Sequence, residues 1–107
     1  MPKFPRPFQQ LREEYPDVWQ AYENLGRAAA QSGPLEQKTR ELIKLGMSAA
    51  GGQESAVHSH THRSLEIGAT RAEIEHAILL GITTIGFPRT MAALTWAKKA
   101  MLDHKEE

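Results

Sequence analysis

The chain of 107 residues has a mass of 12.0 kDa, which is the size of a single domain with a modest hydrophobic core. Thirteen Lys and Arg balance thirteen Asp and Glu, so the net charge is zero, and a broad basic surface for nucleic acid or an anionic membrane is not expected. The chain has no cysteine, which excludes disulfides, zinc–thiolate sites, iron–sulfur clusters and any thiol redox step carried by its own residues.

The N-terminal residues and the hydropathy pattern give no sign of a membrane or secreted protein. No stretch approaches the roughly 20 apolar residues of a membrane-spanning helix. The first seven residues, MPKFPRP, contain three prolines and no apolar signal-peptide core, so they predict an irregular N-terminal arm and a cytoplasmic location. We expect residues 1–107 to form one domain, with residues 1–7 as that arm.

Beyond the arm, apolar residues recur at helical spacing and are interrupted by Gly and Pro clusters, and no stretch alternates as a strand would. Thr70 and Glu73 have the spacing of a capping box at the start of the fifth helix, which is predicted to continue to Ile85. The predicted fold is therefore all-α, a bundle of about five to six helices. The predicted helices cover residues 8–14, 16 to a break at 32–34, 35 to 51, 53–67, 70 to a break at 86–88, and 89–103.

The fifth helix carries more apolar surface than one core face needs. Ile74, Ile78 and Ile85 lie on one stripe, whereas Leu79 and Leu80 lie off it. A monomer of 107 residues has too few other residues to bury such a helix on all sides, so we expect a subunit interface there. The alternative is a central helix that the others surround within one subunit.

Three histidines lie within five residues, at His58, His60 and His62. A regular helix advances about 100° per residue, so His58 and His62 share a face while His60 points about 200° away from them. One metal ion therefore cannot bind all three. The His58–His62 pair has the i, i+4 spacing of a chelating pair that needs a third ligand, and the alternative is that both are ordinary polar residues near a surface or interface.

His60 lies at the edge of the apolar stripe, and a carboxylate facing it would make it a proton carrier near neutral pH. The candidate is Glu41, 19 residues upstream on the preceding helix. Two antiparallel helices joined at Gly51–Gly52 would bring the two side chains towards each other. The alternatives are a satisfied boundary histidine and, for Glu41, a surface pair with Lys38 or Lys44.

The sequence resembles the carboxymuconolactone decarboxylase / alkylhydroperoxidase D-like family over about two-thirds of its length. The resemblance covers about residues 35–100, and it rests on LEQKTRELI at 35–43, on His60 followed by GATRAEI at 68–74, and on GFP at 86–88. It implies an all-α fold that assembles as trimers or hexamers around the helices that carry the motif. That implication agrees with the apolar excess on the fifth helix.

In the alkylhydroperoxidase D-like branch, a Cys-x-x-Cys pair reduces peroxide while a Glu and a His relay protons. By the resemblance, Glu41 and His60 match that Glu and that relay His. Gln53 and Ala56 stand where the cysteines belong, and Ser55 stands where the branch has a further His. Without a thiolate the redox reaction is impossible, so thiol peroxidase activity is not expected.

The decarboxylase branch also lacks the cysteine pair, and it removes carbon dioxide from a carboxylated muconolactone without a cofactor. The resemblance implies that Glu41 and His60 are acid–base groups acting on a small carboxylated lactone or related acid. Arg63 and Arg89 are the candidates for holding an anionic substrate. The sequence departs from this branch at Thr84, where members often have Tyr, and in the segment that leads to His60.

Three functions are open on this basis. The first is a cofactor-independent lyase with Glu41 and His60 in a pocket between the third and fourth helices. The second is an oligomeric binding or scaffold protein that has lost catalysis. The third is a metal-binding protein that uses His58 and His62 with a residue of a neighbouring subunit. No nucleic-acid or membrane partner is expected for any of them.

Overall fold

A computed structural model of the protein describes residues 6–105, and in that range it contains helices and no strand. The all-α prediction is confirmed. None of the helices in this range is both long and apolar enough to span a bilayer. The helices are α1 (Arg6–Glu14), α2 (Pro16–Ala30), α3 (Gln37–Ala50), α4 (Glu54–Glu66), α5 (Arg71–Leu79), a 3₁₀ turn (Leu80–Thr83) and α6 (Phe87–Lys105).

The N-terminal part forms one of two structural units, which extends to residue 35. The expected irregular arm falls mostly on residues outside the described range, and its residues 6 and 7 belong to α1. Pro16 occupies the first turn of α2, where its missing N–H costs no hydrogen bond. Within this unit Phe8, Trp19 and Tyr22 form an aromatic cluster with ring centroids 6.0 to 6.5 Å apart. The single domain expected over residues 1–107 stays a prediction.

The second unit, from residue 36, contains α3 to α6 and the hydrophobic core. Helix α3 packs against α4, α4 packs against α6, and α5 packs against both α3 and α6. Three fully buried alanines recur along α6 and allow its backbone to approach the other helices closely. The core side chains are Leu45, Ala49, Val57, Ala69, Ile74, Ile78, Ala93, Leu94, Ala97 and Met101.

The fifth helix ends earlier than the sequence predicted. Helix α5 stops at Leu79, and the chain continues as a 3₁₀ turn instead of an α-helix to Ile85. The reason lies at Gly81, where an added Cβ would be 3.1 Å from both Ile85 Cγ1 and Thr90 Oγ1. Glycine is a poor helix former, and its missing side chain lets the start of α6 pack closely against this turn.

The capping box predicted at the start of the fifth helix is confirmed. Thr70 Oγ1 accepts a hydrogen bond from the Glu73 N–H at 3.1 Å, and Glu73 Oε1 accepts one from the Thr70 N–H at 2.8 Å. Lys38 Nζ, on α3, donates to Glu73 Oε2 at 3.0 Å. The Thr70 N–H and the Lys38 ammonium hold the pKa of the Glu73 carboxyl below its usual value. The start of α5 is thus tied to α3.

Replacing Thr70 with alanine is expected to lower the free energy of unfolding by about 1 kcal/mol, because the Glu73 N–H loses its acceptor at the helix start. Urea denaturation of Thr70→Ala and the parent chain measures the difference. Thr95→Ala is the control, since Thr95 is exposed on α6 and its hydroxyl donates only to the Met91 carbonyl of its own helix. Equal losses in the two variants would contradict the capping role.

Candidate functional site

A turn of three residues joins α3 to α4, which places the two helices side by side in opposite directions. Gly52 in this turn has φ +67°, a conformation that favours glycine. Arg89, near the start of α6, donates from Nη1 to the Ala50 carbonyl at 3.2 Å. A Cβ added at Gly52 would lie 2.3 Å from that same Nη1. A side chain at position 52 would therefore displace Arg89 from the end of α3.

Glu41 on α3 and His60 on α4 meet across the helix pair. His60 Nδ1 is hydrogen-bonded to Glu41 Oε1. The contact is largely shielded from water, since the two side chains are 17% and 13% exposed for His60 and Glu41 respectively. The antiparallel arrangement expected from the sequence thus brings the two residues together. Of the two lysines considered as surface partners of Glu41, Lys38 pairs with Glu73 instead, and Lys44 forms no ion pair with Glu41.

The charge of Glu41 is maintained by its neighbours. Burial alone would raise the pKa of this carboxyl, but the hydrogen bond from His60 and the positive charges of His60, Arg63 and Lys44 outweigh burial and lower the pKa. Glu41 is therefore a carboxylate at neutral pH and can only accept hydrogen bonds. It follows that His60 Nδ1 carries the proton in this contact.

The opposite ring nitrogen of His60 is the atom available for chemistry. In neutral imidazole only one ring nitrogen carries a proton, so a proton on Nδ1 leaves a lone pair on Nε2. Within residues 6–105, the structure gives His60 Nε2 no hydrogen-bond partner. The arrangement can accept a proton at Nε2, and it can donate one when the imidazole is protonated.

The two positions that match the missing cysteines lie at the start of the His60 helix. Gln53 directly precedes α4 and is exposed, and Ala56 is half-buried in the first turn of α4. Ala56 lies four residues, about one helical turn, before His60. The Glu41–His60 pair is thus next to the place where a thiol would stand, and neither side chain at that place can form a thiolate.

The two arginines proposed for substrate binding lie at different ends of the helix pair. Arg63 is half-buried on α4, one turn after His60, and its charge contributes to the low pKa of Glu41. Arg89 instead is bound to the Ala50 carbonyl. Ala50 lies about 13 Å from Glu41 along the axis of α3. Arg63 is therefore the nearer cation to the acid–base pair.

His58 and His62 lie in a histidine cluster that also includes His104 on α6. The ring centroids of His58 and His62 are 5.9 Å apart, and those of His62 and His104 are 5.1 Å apart. His62 Nε2 donates to the Ala100 carbonyl at 3.0 Å. In the described range, no three His, Asp or Glu side chains come together as a group able to hold a metal ion. His104 was missed in the sequence because only the packing of α6 on α4 brings it there.

Acidification is expected to destabilise the α4–α6 contact through His58. Burial and the adjacent charge of His62 lower the pKa of His58, and they outweigh the opposite effect of Asp103 and Glu54; Lys99 lowers it further. His58 therefore binds a proton more readily in the unfolded chain than in the folded one. Its contribution to the free energy of unfolding is intact above about pH 6.5 and is lost as the pH falls below that value.

Urea denaturation between pH 5 and pH 7.5 measures this effect. The His58→Gln variant is expected to lose less stability on acidification than the parent chain. His76→Gln is the control, because His76 is exposed on α5. A His58→Gln variant with an unchanged pH dependence would contradict the assignment.

Comparison with known proteins places these observations in a family. The model of the carboxymuconolactone decarboxylase family matches residues 16–99. An uncharacterized protein from Cupriavidus necator is 30% identical over 88 residues, which cover 82% of this chain and 78% of that protein. One from Methanocaldococcus jannaschii is 29% identical over 84 residues, 78% of each chain. One from Haemophilus influenzae is 40% identical over 57 residues, and this match spans only 50% of its length.

A solved structure supports the same fold. The crystal structure of a carboxymuconolactone decarboxylase family protein from Legionella pneumophila, in its apo form, superposes with a TM-score of 0.78. The match covers 90% of this chain and 85% of that one at 23% sequence identity, so the likeness concerns the fold. Together with the family model over residues 16–99, these comparisons show that the chain belongs to the carboxymuconolactone decarboxylase family.

Proposed function

We propose that this protein is a cofactor-independent lyase that decarboxylates a small carboxylated lactone or a related acid through Glu41 and His60. The proposal rests on the different surroundings of the two ring nitrogens of His60. Its Nδ1 is bound to a shielded carboxylate, and its Nε2 has no partner in the described part of the chain. Such an imidazole is oriented, electrostatically supported and available at one nitrogen, as a general acid or base needs to be.

In the proposed reaction the bond between the substrate carbon and its carboxylate breaks, and carbon dioxide leaves. The electron pair of that bond moves into the adjacent unsaturated lactone, whose carbonyl oxygen takes up the negative charge. His60 in its protonated form donates the Nε2 proton to the carbon, and solvent restores that proton afterwards. The Glu41 carboxylate stabilises the imidazolium through Nδ1 in the reactive state.

The substrate's anionic group would be held by an arginine. Arg63 is the first candidate because it lies one turn from His60 and acts electrostatically on Glu41. Arg89 is the second, and it would have to reach the substrate from the α3–α4 turn. No cofactor is required, because the lactone carbonyl accepts the electrons and His60 supplies the proton. The proposed location is the cytoplasm, in agreement with a chain that has no cysteine.

Release of carbon dioxide tests the proposal. The purified chain is incubated with carboxylated muconolactones, and carbon dioxide and the remaining lactone are measured together. We expect equal amounts of carbon dioxide formed and lactone consumed, and no thiol-dependent turnover of peroxide. Absence of carbon dioxide release with every lactone tested would favour an inactive binding or scaffold protein, and peroxide turnover with a thiol would contradict the mechanism.

We also propose that the chain forms a homo-oligomer, a trimer or a hexamer. The support comes from the end of α5 and the 3₁₀ turn, where Leu79, Leu80 and Ile82 are 47%, 62% and 40% exposed in the single chain. Adjacent exposed apolar side chains of this size mark interaction surfaces. Light scattering should give a multiple of the 12.0 kDa chain mass, and a mass of one chain would contradict the assembly.

A further inference from the structure

Lys44 differs from Lys38, Lys98 and Lys99 in its surroundings. Lys38 is paired with Glu73 at 3.0 Å, and Lys98 and Lys99 are exposed on α6. Lys44 is half-buried, yet its ammonium makes no hydrogen bond or ion pair with residues 6–105.

The position of Lys44 relates it to the acid–base pair. It follows Glu41 by three residues, so both side chains lie on the same face of α3. Its charge is one of those that lower the pKa of Glu41. Glu41 Oε1 is occupied by His60, and Lys44 does not form an ion pair with this carboxylate. The ammonium therefore lies beside the pair with its donors available.

Lys44 and Arg63 lie on opposite sides of the pair. Each follows one of its members by three residues, Lys44 after Glu41 and Arg63 after His60. Since α3 and α4 run in opposite directions, Lys44 is about 4.5 Å nearer the turn than Glu41, and Arg63 is about 4.5 Å farther from it than His60. The two cations are thus offset from the Glu41–His60 pair in opposite directions along the helices.

We propose that Lys44 is a specificity-determining residue of this site, whose ammonium binds a carboxylate of the substrate on the turn side of the Glu41–His60 pair. The inference rests on the proposed function. An ammonium is a compact point charge with three donors, which suits a carboxylate that approaches through one oxygen.

The carboxylate bound by Lys44 is the one that stays in the product. An ammonium held against the departing carboxylate would stabilise the ground state more than the transition state, because the charge leaves that group during the reaction, and the barrier would rise. A contact to a second carboxylate avoids this effect, because its charge stays in place throughout. Lys44 then fixes which end of the substrate faces His60.

Equilibrium binding of simple carboxylates tests the inference without any turnover. Succinate, glutarate and adipate are titrated at constant ionic strength into the ¹⁵N-labelled chain, with dimethyl succinate as the uncharged probe, and NMR shifts report binding. The expected result is that at least one dianion binds more tightly than the diester. In Lys44→Met the affinity for that anion should fall about tenfold or more, the typical effect of losing a charge-assisted hydrogen bond. Lys44→Arg should retain most of it.

Lys98→Met is the matched control, because Lys98 is exposed on α6 and its loss changes the net charge by the same amount. If Lys98→Met and Lys44→Met weaken dianion binding equally, the loss reflects the net charge of the chain, and the inference is wrong. Unchanged binding in Lys44→Met would also overturn it, and so would a parent chain that does not prefer the dianions to the diester. Carboxylate binding that depends on Lys44 in a chain that releases no carbon dioxide would instead reject only the proposed reaction.

Discussion

Replacing His60 with alanine is expected to lower the turnover of the carboxylated substrate by about 10²–10⁴-fold, the range typical of losing a general acid. Helical content should be unchanged, because the His60 side chain is not part of the hydrophobic core. The measurement is the initial rate of carbon dioxide release, with circular dichroism and light scattering on the same samples.

The Glu41→Gln variant removes the negative charge of this side chain and keeps its shape, so it tests whether the charge contributes to turnover. Glutamine retains an oxygen that can accept from His60 Nδ1, but it no longer stabilises a protonated imidazole electrostatically. We therefore expect kcat to fall while the fold is retained. His76→Ala is the control, since His76 is an exposed histidine on α5. Full activity in His60→Ala or Glu41→Gln, or a loss in His76→Ala as large as in His60→Ala, would contradict the assignment.

Replacing Ile74 with alanine is expected to lower the free energy of unfolding by about 2–5 kcal/mol. Ile74 is 0% exposed on α5 and belongs to the core cluster that also includes Leu45 and Val57. Its loss removes apolar contacts and leaves a cavity between the helices. For a chain whose total stability is on the order of 5–15 kcal/mol, this is a large fraction.

Urea denaturation monitored by circular dichroism measures this loss. Ile43→Ala provides the same substitution at a site that is 41% exposed on α3, and it is expected to lose much less stability. Comparable losses at positions 43 and 74 would show that the core is not organised around α5. Because Ile74 directly follows the Thr70–Glu73 capping box, the same α5 segment is stabilised both at its start and at its buried face.

Local features of the sequence predicted the fold well where local chemistry decides the structure. The capping box of Thr70 and Glu73 marked the start of α5 correctly because its hydrogen bonds lie within four residues. The end of α5 was predicted too late, because the 3₁₀ turn depends on the approach of Thr90 to Gly81, a contact made only in the folded chain. The helical spacing of the apolar residues, taken alone, predicts a helix that extends to Ile85.

For the candidate site too, some features could be predicted from the sequence, whereas others depend on contacts made only in the folded chain. The family resemblance singled out Glu41 and His60, and the antiparallel geometry predicted their approach across the helix pair. Two other features were not predicted. His104 joins the histidine cluster only because α6 packs on α4, 42 residues after His62. Lys44 was considered only as a surface partner of Glu41, because its half-burial without an ion pair depends on the packed helices.

The tautomer of His60 is the most direct test of the Glu41–His60 arrangement. Two-dimensional ¹⁵N NMR of the imidazole, recorded at a pH where the ring is neutral, distinguishes a proton on Nδ1 from one on Nε2, and His60→Ala identifies the signal. Because the Glu41 carboxylate can only accept, the expected result is the Nδ1–H tautomer, with a lone pair on Nε2. A neutral His60 protonated at Nε2 would show that Glu41 does not orient the ring, and it would contradict the proposed acid–base site.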